Sequence, residues 1–390
     1  MDSHNFRKYS SKYIIPIILF CVISASFFYG WFFDNSHSGG KRWADQTAYR
    51  KTAVLFAHFK LPKRLQYQVG YPLLGALGYY VTPHSPFLPV SYILLVSSFF
   101  LLYYGAKGKF NGFFLLLFLL MVFFWNLETI KLNYPSEIFH IPWNNQMIFF
   151  IFCYYFWLFN FWEDKEIPIG LFIITALLSG YTIATREETI LFIFPLAITF
   201  LIVKKCSYRI YLLFFCVLAI GYFPQIVVKY KVLGNILDTG RDDYHDGESY
   251  IVKLANYFFL DRLAVNTIEV LFNTEMSKAE NTGRLSILQS SPWLWLTPFG
   301  VFYFFLKKDE KPMMKVFILT SIAFLLFYLG GINMSAHKLK YHCIRYVVPS
   351  YIAFNFAVAY LLQGLYEKLR TAFKNRFQLS TNRVTKKIFI

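Results

Sequence analysis

Charged residues are scarce in this chain, and acidic residues are scarcer than basic ones. Charged side chains make up 16% of the sequence, against roughly 25% in an ordinary soluble domain. Hydrophobic residues make up 56% and aromatic residues 21%. A soluble fold cannot cover that much apolar surface, whereas lipid accepts it. Apolar runs of about 20 residues, long enough to cross a hydrocarbon core of roughly 30 Å, recur along the chain. The composition therefore predicts an all-α polytopic membrane protein.

The chain also lacks the common patterns of disulfide, metal and nucleotide sites. Its five cysteines are scattered, and no CxxC pair occurs. No Gly-rich loop of the kind that cradles phosphates is present, so no cofactor is predicted. The stretch "DTGRDDYHDGES" (238–249) is rich in carboxylates and could hold a divalent cation. Its spacing matches no calcium loop, which favours a solvated acidic loop.

Apolar runs predict about ten transmembrane helices. They lie near 13–33, 88–105, 111–127, 146–162, 168–184, 188–203, 210–228, 292–306, 315–332 and 346–366. The first run is too long for a signal-peptide core and ends in bulky aromatics, so we expect an uncleaved anchor. The apolar stretch 69–81 is too short to cross and predicts an interfacial or re-entrant helix.

The loops between these runs differ in charge, which predicts the orientation. The short loops on one side, with both termini, are dense in Lys and Arg, so the positive-inside rule assigns them to the cytoplasm. Residues 1–366 then form one transmembrane domain with long external loops at 34–87 and 229–291, and residues 367–390 form a basic cytoplasmic tail. The net charge of +17 reflects this topology and attraction to anionic lipid, and needs no nucleic acid partner. We expect a multi-pass protein of a bacterial inner or cell membrane.

Polar residues are concentrated in four stretches on the predicted outer side. Ionisable groups at membrane depth are costly, and they usually face a protein interior or a watery cavity. One interpretation is a single outward-facing cavity. Its carboxylates would be Asp45 and Glu137, and its cations, suited to a phosphate, would be Arg186, Lys338, Lys340 and Arg345. The alternative is that these are ordinary charges at helix ends that reach the interface.

Four segments, in this order, carry a family resemblance. They are Asp45 and Tyr49 with "GYPLLGALGYY" beyond, Glu137 in "PSEIFHIP", "ATREETILFIFP", and "IRYVVPSYIAF". Together they resemble the membrane glycosyltransferases of the C-fold superfamily (GT-C), which includes the protein O-mannosyltransferases. The chain departs from that pattern where Gln46 follows a lone Asp45 and where Glu187 stands in place of the usual Pro.

The resemblance implies an inverting transferase with a polyprenyl-phosphate sugar as donor. Asp45 would act as general base on a hydroxyl of a glycan, lipid or protein acceptor, with Glu137 as a second catalytic carboxylate. The cations Arg186, Lys338, Lys340 and Arg345 would hold the donor phosphate. Other substrate-binding candidates are Tyr49, Arg50, Tyr71, Glu187 and His342.

Three other functions stay open at the level of sequence. A surface-polysaccharide polymerase or ligase uses the same lipid-linked substrates and also has a long external loop. A flippase or transporter usually shows internal repeats and broken spans in matching positions, and we find no such half-to-half similarity. A structural subunit of a larger membrane complex would have no enzyme-like cavity.

Overall fold

The computed structural model describes residues 3–37, 44–65, 67–131, 144–236, 291–329 and 344–388, with Leu263, Thr267 and Leu288. In these ranges all regular secondary structure is helical. The first five helices are α1 (Ser3–His37), α2 (Ala44–Ala57), α3 (Gly70–Tyr79), α4 (Leu88–Ala106) and α5 (Gly112–Lys131). The middle of the chain forms α6 (Asn145–Trp162), α7 (Ile169–Thr185), a 3-10 turn (Glu187–Thr189), α8 (Ile190–Val203) and α9 (Tyr208–Leu233). The last part forms a 3-10 turn (Pro292–Leu296), α10 (Thr297–Leu306), α11 (Pro312–Leu329) and α12 (Ile344–Ile388).

Each of the ten predicted spans overlaps a helix, although the last residues of the span 315–332 lie outside the described residues. Within the described residues, four stretches are both long and apolar enough to cross a membrane: Ile14–Phe32, Leu88–Ala106, Tyr208–Leu233 and Pro312–Leu329. An integral membrane protein is therefore supported, while the total of about ten spans stays a prediction. The stretch 69–81 is helical as expected, in α3.

Aromatic side chains fill the centre of the bundle. Phe118 of α5, Phe156 of α6 and Phe356 of α12 meet with ring centroids 5.3 to 6.2 Å apart. Aromatic pairs at such separations add to the stabilisation from burial alone. Other large apolar side chains, such as Phe113 and Leu212, point away from the protein and are exposed. Apolar groups on both the inner and outer surfaces fit a bundle that lipid surrounds.

Helices α7 and α9 approach closely because glycine lies at their contact. A Cβ atom added to Gly180 would come within 2.0 Å of the carbonyl oxygen of Leu218. One added to Gly221 would come within 2.5 Å of the carbonyl oxygen of Leu177. Small residues at such contacts let membrane helices pack backbone to backbone. This contact brings the C-terminal half of α9 beside the turn that follows α7.

Four short loops meet at one end of the bundle. Lys109, after α4, pairs with Glu310, after α10, and Lys311 pairs with Asp164, after α6. Lys204, after α8, donates to backbone carbonyl oxygens of the loop that follows α6. These are loops that the charge distribution assigns to a common side. Which side of the membrane they face stays a prediction.

Three carboxyl groups in these loops have shifted pKa values: that of Glu163 is raised, and those of Asp164 and Glu310 are lowered. Burial raises the pKa of Glu163 to about 6, an effect that Lys311 only partly offsets. Burial alone would also raise the pKa of Glu310, but its hydrogen bonds from Lys109 and Tyr360 outweigh burial and lower it. Glu163 is therefore a carboxyl group of these loops whose pKa is raised toward neutral pH.

Candidate functional site

Five of the eleven predicted site residues have side chains that the structure describes: Tyr49, Arg50, Tyr71, Arg186 and Glu187. Two others are described only by backbone, because Asp45 belongs to the first turn of α2 and Arg345 to the first turn of α12. The remaining four, Glu137, Lys338, Lys340 and His342, lie outside the described residues, as does the acidic stretch 238–249.

The turn between α7 and α8 holds two of the predicted residues inside the protein. Helix α7 ends at Thr185, and Arg186 takes an extended backbone conformation before the short turn Glu187–Thr189. The Thr189 hydroxyl closes this turn by donating to the Arg186 carbonyl oxygen over 2.6 Å. Arg186 is 9% exposed and Glu187 5%. A buried charge is stable only where other groups replace the hydrogen bonds that it made to water. The groups around Arg186 and Glu187 therefore define the site.

Glu187 fastens this turn to α9. Its Oε1 accepts hydrogen bonds from the Tyr222 hydroxyl (2.8 Å) and from Gln225 Nε2 (3.1 Å). The same oxygen lies 2.6 Å from the ammonium of Lys229, which is also buried. Three donors converge on one carboxylate oxygen, so the contacts that the structure describes make Glu187 an anchor for its loop. The predicted contact of Glu187 with substrate stays a prediction.

Arg186 is held by groups from two other helices. Its Nη1 donates to Asn145 Oδ1 of α6 over 2.9 Å. Its guanidinium carbon lies 4.9 Å from the ring centroid of Tyr328 in α11, within the range of a cation–π contact. The Glu188 carboxylate is 3.6 Å from its Nε. A planar guanidinium braced in this way has a fixed orientation, which suits it to recognise an anion.

The start of α3 joins the same network. The Val69 backbone N–H donates to Gln225 Oε1 over 2.8 Å, and the Tyr181 hydroxyl donates to the Gly70 carbonyl oxygen. A Cβ atom on Gly70 would lie 2.5 Å from Thr185 Oγ1 and 2.6 Å from its backbone nitrogen. Glycine is therefore required where α3 meets the end of α7.

Tyr71 and Tyr49 extend the network to α2. The buried Tyr71 hydroxyl donates to Gln146 Oε1 of α6 over 3.0 Å. The Tyr71 ring stacks on Phe87 at 4.7 Å and meets the ring of Tyr49 edge-on at 5.5 Å. These rings pack against protein, so their described contacts are structural, and stacking on a sugar stays a prediction. Arg50, next to Tyr49 on α2, is half-buried.

The structure thus brings Tyr49, Tyr71, Arg186 and Glu187 into one connected cluster. Asn145 and Gln146 are consecutive residues, so the partner of Arg186 adjoins the partner of Tyr71. We call this cluster the polar network; its other members are Asn145, Gln146, Tyr222, Gln225 and Lys229. It lies at the end of the bundle opposite the loops that Lys109, Lys204 and Lys311 connect.

Sequence reasoning missed several members of the polar network. Asn145 and Gln146 belong to a polar stretch of the sequence, but no pattern distinguishes them from the other polar residues of that stretch. Gln225 and Lys229 are four residues apart on α9, and so lie on one helix face. Two polar residues with this spacing at the end of an apolar run are the signal that could have found them.

No family model, curated protein or solved structure matches this chain. The likeness to the C-fold glycosyltransferases therefore rests on its four sequence segments. Of these, "GYPLLGALGYY" forms α3 and its C-terminal end, and "ATREETILFIFP" runs from the end of α7 into α8. "IRYVVPSYIAF" begins α12, while "PSEIFHIP" lies outside the described residues.

Proposed function

We propose that this chain is an integral-membrane glycosyltransferase that moves a sugar from a polyprenyl-phosphate donor to an acceptor at the non-cytoplasmic face. The observation that supports this most is the buried link between α2 and Arg186. Asp45 precedes Tyr49 by one helical turn, Tyr49 contacts Tyr71, and Tyr71 binds Gln146. Gln146 follows Asn145, the partner of Arg186.

The link matters because it couples a predicted base to a predicted phosphate ligand. Glycosyl transfer needs a base at the acceptor and a cation at the leaving group at the same time. A stabilised, oriented guanidinium can donate two parallel bonds to a phosphate. Ionisable groups buried within an apolar bundle usually mark a site for a substrate, an ion or a proton.

The reaction follows from these roles. Asp45 takes the proton of the acceptor hydroxyl, whose oxygen forms a bond to the anomeric carbon of the donor sugar. The bond from that carbon to the phosphate oxygen breaks on the opposite face, so the configuration inverts. Arg186, with Lys338, Lys340 and Arg345, stabilises the negative charge that grows on the polyprenyl phosphate. Glu137 supplies the second carboxylate.

A transfer assay separates this proposal from its alternatives. Purified protein in proteoliposomes is given radiolabelled polyprenyl-phosphate sugars and candidate acceptors. We expect one sugar mass to be added to the acceptor with inverted configuration, and free polyprenyl phosphate to be released. A ladder of products would instead identify a polymerase or ligase. Movement of the lipid-linked sugar across the bilayer without a covalent product would identify a flippase.

A further inference from the structure

The loop that follows α2 exposes a large aromatic side chain on a strained backbone. Phe59 is 95% exposed and has a φ of 56°, in the left-handed region that side chains other than glycine avoid. The Phe59 N–H donates to the Phe56 carbonyl oxygen, and the Lys60 N–H donates to that of Leu55. This is the Schellman motif, which usually has glycine at the position of Phe59.

Phe59 therefore combines two unfavourable features: its backbone is strained and its aromatic ring is exposed. Strain of this kind, where a less strained residue would serve, points to a functional constraint. A second motif offers a comparison. Lys205 occupies the same position after α8, with a φ of 49°. The charged end of a lysine at this position is hydrated when it is exposed, whereas the apolar ring of Phe59 gains nothing from contact with water.

Other exposed apolar side chains lie on the same loop and at the C-terminal end of α3, which packs against it. The His58 ring meets the Tyr79 ring at 5.4 Å, and the Tyr80 hydroxyl donates to the Ala57 carbonyl oxygen. These contacts hold the loop 58–64, the first-loop tip, against the C-terminal end of α3. The large apolar residues exposed on the two segments are Phe59, Leu61, Leu77, Tyr80 and Val81.

A hydrocarbon core that begins at the start of α9 would end near the first-loop tip. Helix α9 starts at Tyr208, and Val228 comes about 30 Å further along its axis at about 1.5 Å per residue. That distance equals the roughly 30 Å thickness of the core. Leu65 and Val69, which follow the first-loop tip, cluster with Val228. An apolar ring near this boundary can contact acyl chains instead of water.

The charge of this region complements lipid phosphate. From residue 46 to residue 87 the sequence contains no Asp or Glu. The same stretch contains Arg50, Lys51, Lys60, Lys63 and Arg64. Lys60 and Lys63 are exposed in the first-loop tip itself. Basic residues that flank exposed aromatics are typical of segments that lie in the headgroup region of an anionic membrane.

We infer that the first-loop tip binds the outer leaflet, with Phe59 inserted among acyl chains and Lys60 and Lys63 at the phosphates of anionic phospholipids. The α2–α3 segment is then fixed to the bilayer at its far end and to the polar network at Gly70 and Tyr71. This inference does not depend on glycosyl transfer. It depends on the chain lying in a membrane, and its assignment to the outer leaflet depends on the orientation that the loop charges predict.

Photo-crosslinking in nanodiscs of mixed phosphatidylcholine and phosphatidylglycerol tests the contact. Benzoylphenylalanine replaces Phe59 in one protein and Asp309, an exposed residue of a loop at the other end, in the control. We expect phospholipid adducts by intact mass several-fold more often at 59 than at 309. Phosphatidylglycerol adducts should exceed its share of the bilayer, and the pair Lys60→Gln and Lys63→Gln should remove the excess. Crosslinks to a second protein copy, or equal yields at 59 and 309, would overturn the inference.

Paired glycine variants give a second measurement that does not need a crosslinker. Phe59→Gly and Lys205→Gly each relieve the same backbone strain. In nanodiscs we expect Lys205→Gly to raise the Tm and Phe59→Gly to lower it, because only the latter loses a lipid contact. An equal rise for both variants would mean that Phe59 gains nothing from the bilayer.

Discussion

Arg186 Nη1 donates to Asn145 Oδ1 over 2.9 Å and so joins two segments 41 residues apart in the chain. Asn145 is neutral, so this bond orients the guanidinium without cancelling its charge. Glu188 lies at 3.6 Å from Nε, and Tyr328 supports the cation from one face. The position of Arg186 is thus determined by side chains from α6, α11 and its own turn.

Loss of the Arg186 side chain should weaken donor binding selectively. A hydrogen bond to a charged group contributes about 1.5–3 kcal/mol, which corresponds to about a tenfold or larger rise in the donor KM. Kinetics of Arg186→Ala in proteoliposomes should show this rise with little change in the acceptor KM. Arg209→Ala, an exposed arginine at the start of α9, is the control and should behave as wild type. An unchanged donor KM in Arg186→Ala would remove it from the phosphate site.

The buried pair of Glu187 and Lys229 should show strong coupling in stability. Removing one partner of a buried ion pair leaves an uncompensated charge and costs about 3–5 kcal/mol. Lys229→Met should therefore lower the Tm in detergent sharply, and adding Glu187→Gln should recover much of the loss. Lys231→Met, two residues on and exposed, should have little effect. Additive losses in the double variant would show that the two groups do not interact.

The contact of α3 with α7 leaves no room for a methyl group at Gly70. In Gly70→Ala the new atom would meet backbone atoms of Ala184 and Thr185, which cannot move aside singly. We expect a lower Tm and loss of transfer, because the Arg186 turn follows directly. Gly170→Ala is the control, since nothing lies within 4 Å of a Cβ there. Equal behaviour of the two variants would refute the tight contact.

Glu163 should make stability depend on pH. Its folded pKa of about 6 lies above the ordinary value of 4.5, so the folded state holds the proton more tightly than the unfolded state. The contribution of Glu163 to stability is then fully present below pH 4.5 and is lost as pH rises through about 6. Because the side chain is only partly buried, solvent screening limits this contribution to roughly 1 kcal/mol or less. The Tm of Glu163→Gln should lose this component of the pH profile, whereas that of Glu166→Gln, exposed in the same loop, should keep it. An unchanged profile in Glu163→Gln would place the pKa of Glu163 near its usual value.

Helix positions could be predicted from sequence because apolar runs of membrane length are a strong and local signal. The same signal led to Arg186 and Glu187, since charges in so short a turn stand out between two apolar runs. The pairing of these residues with Asn145, Gln225 and Lys229 could not be predicted, because the partners come from distant helices. Their proximity depends on helix packing, such as the contact at Gly180 and Gly221, which no local pattern encodes. The structural role of Tyr71 was missed for the same reason.

The most direct test of the account is sugar transfer by Asp45→Asn and Asp45→Ala in proteoliposomes with a polyprenyl-phosphate sugar donor. Asp309→Asn, a carboxylate in an exposed loop at the other end, serves as the matched control. We expect wild type and Asp309→Asn to transfer the sugar, while both Asp45 variants insert and purify normally but transfer none. Transfer near the wild-type rate by both Asp45 variants, or no transfer by wild type from any polyprenyl-phosphate sugar, would contradict it.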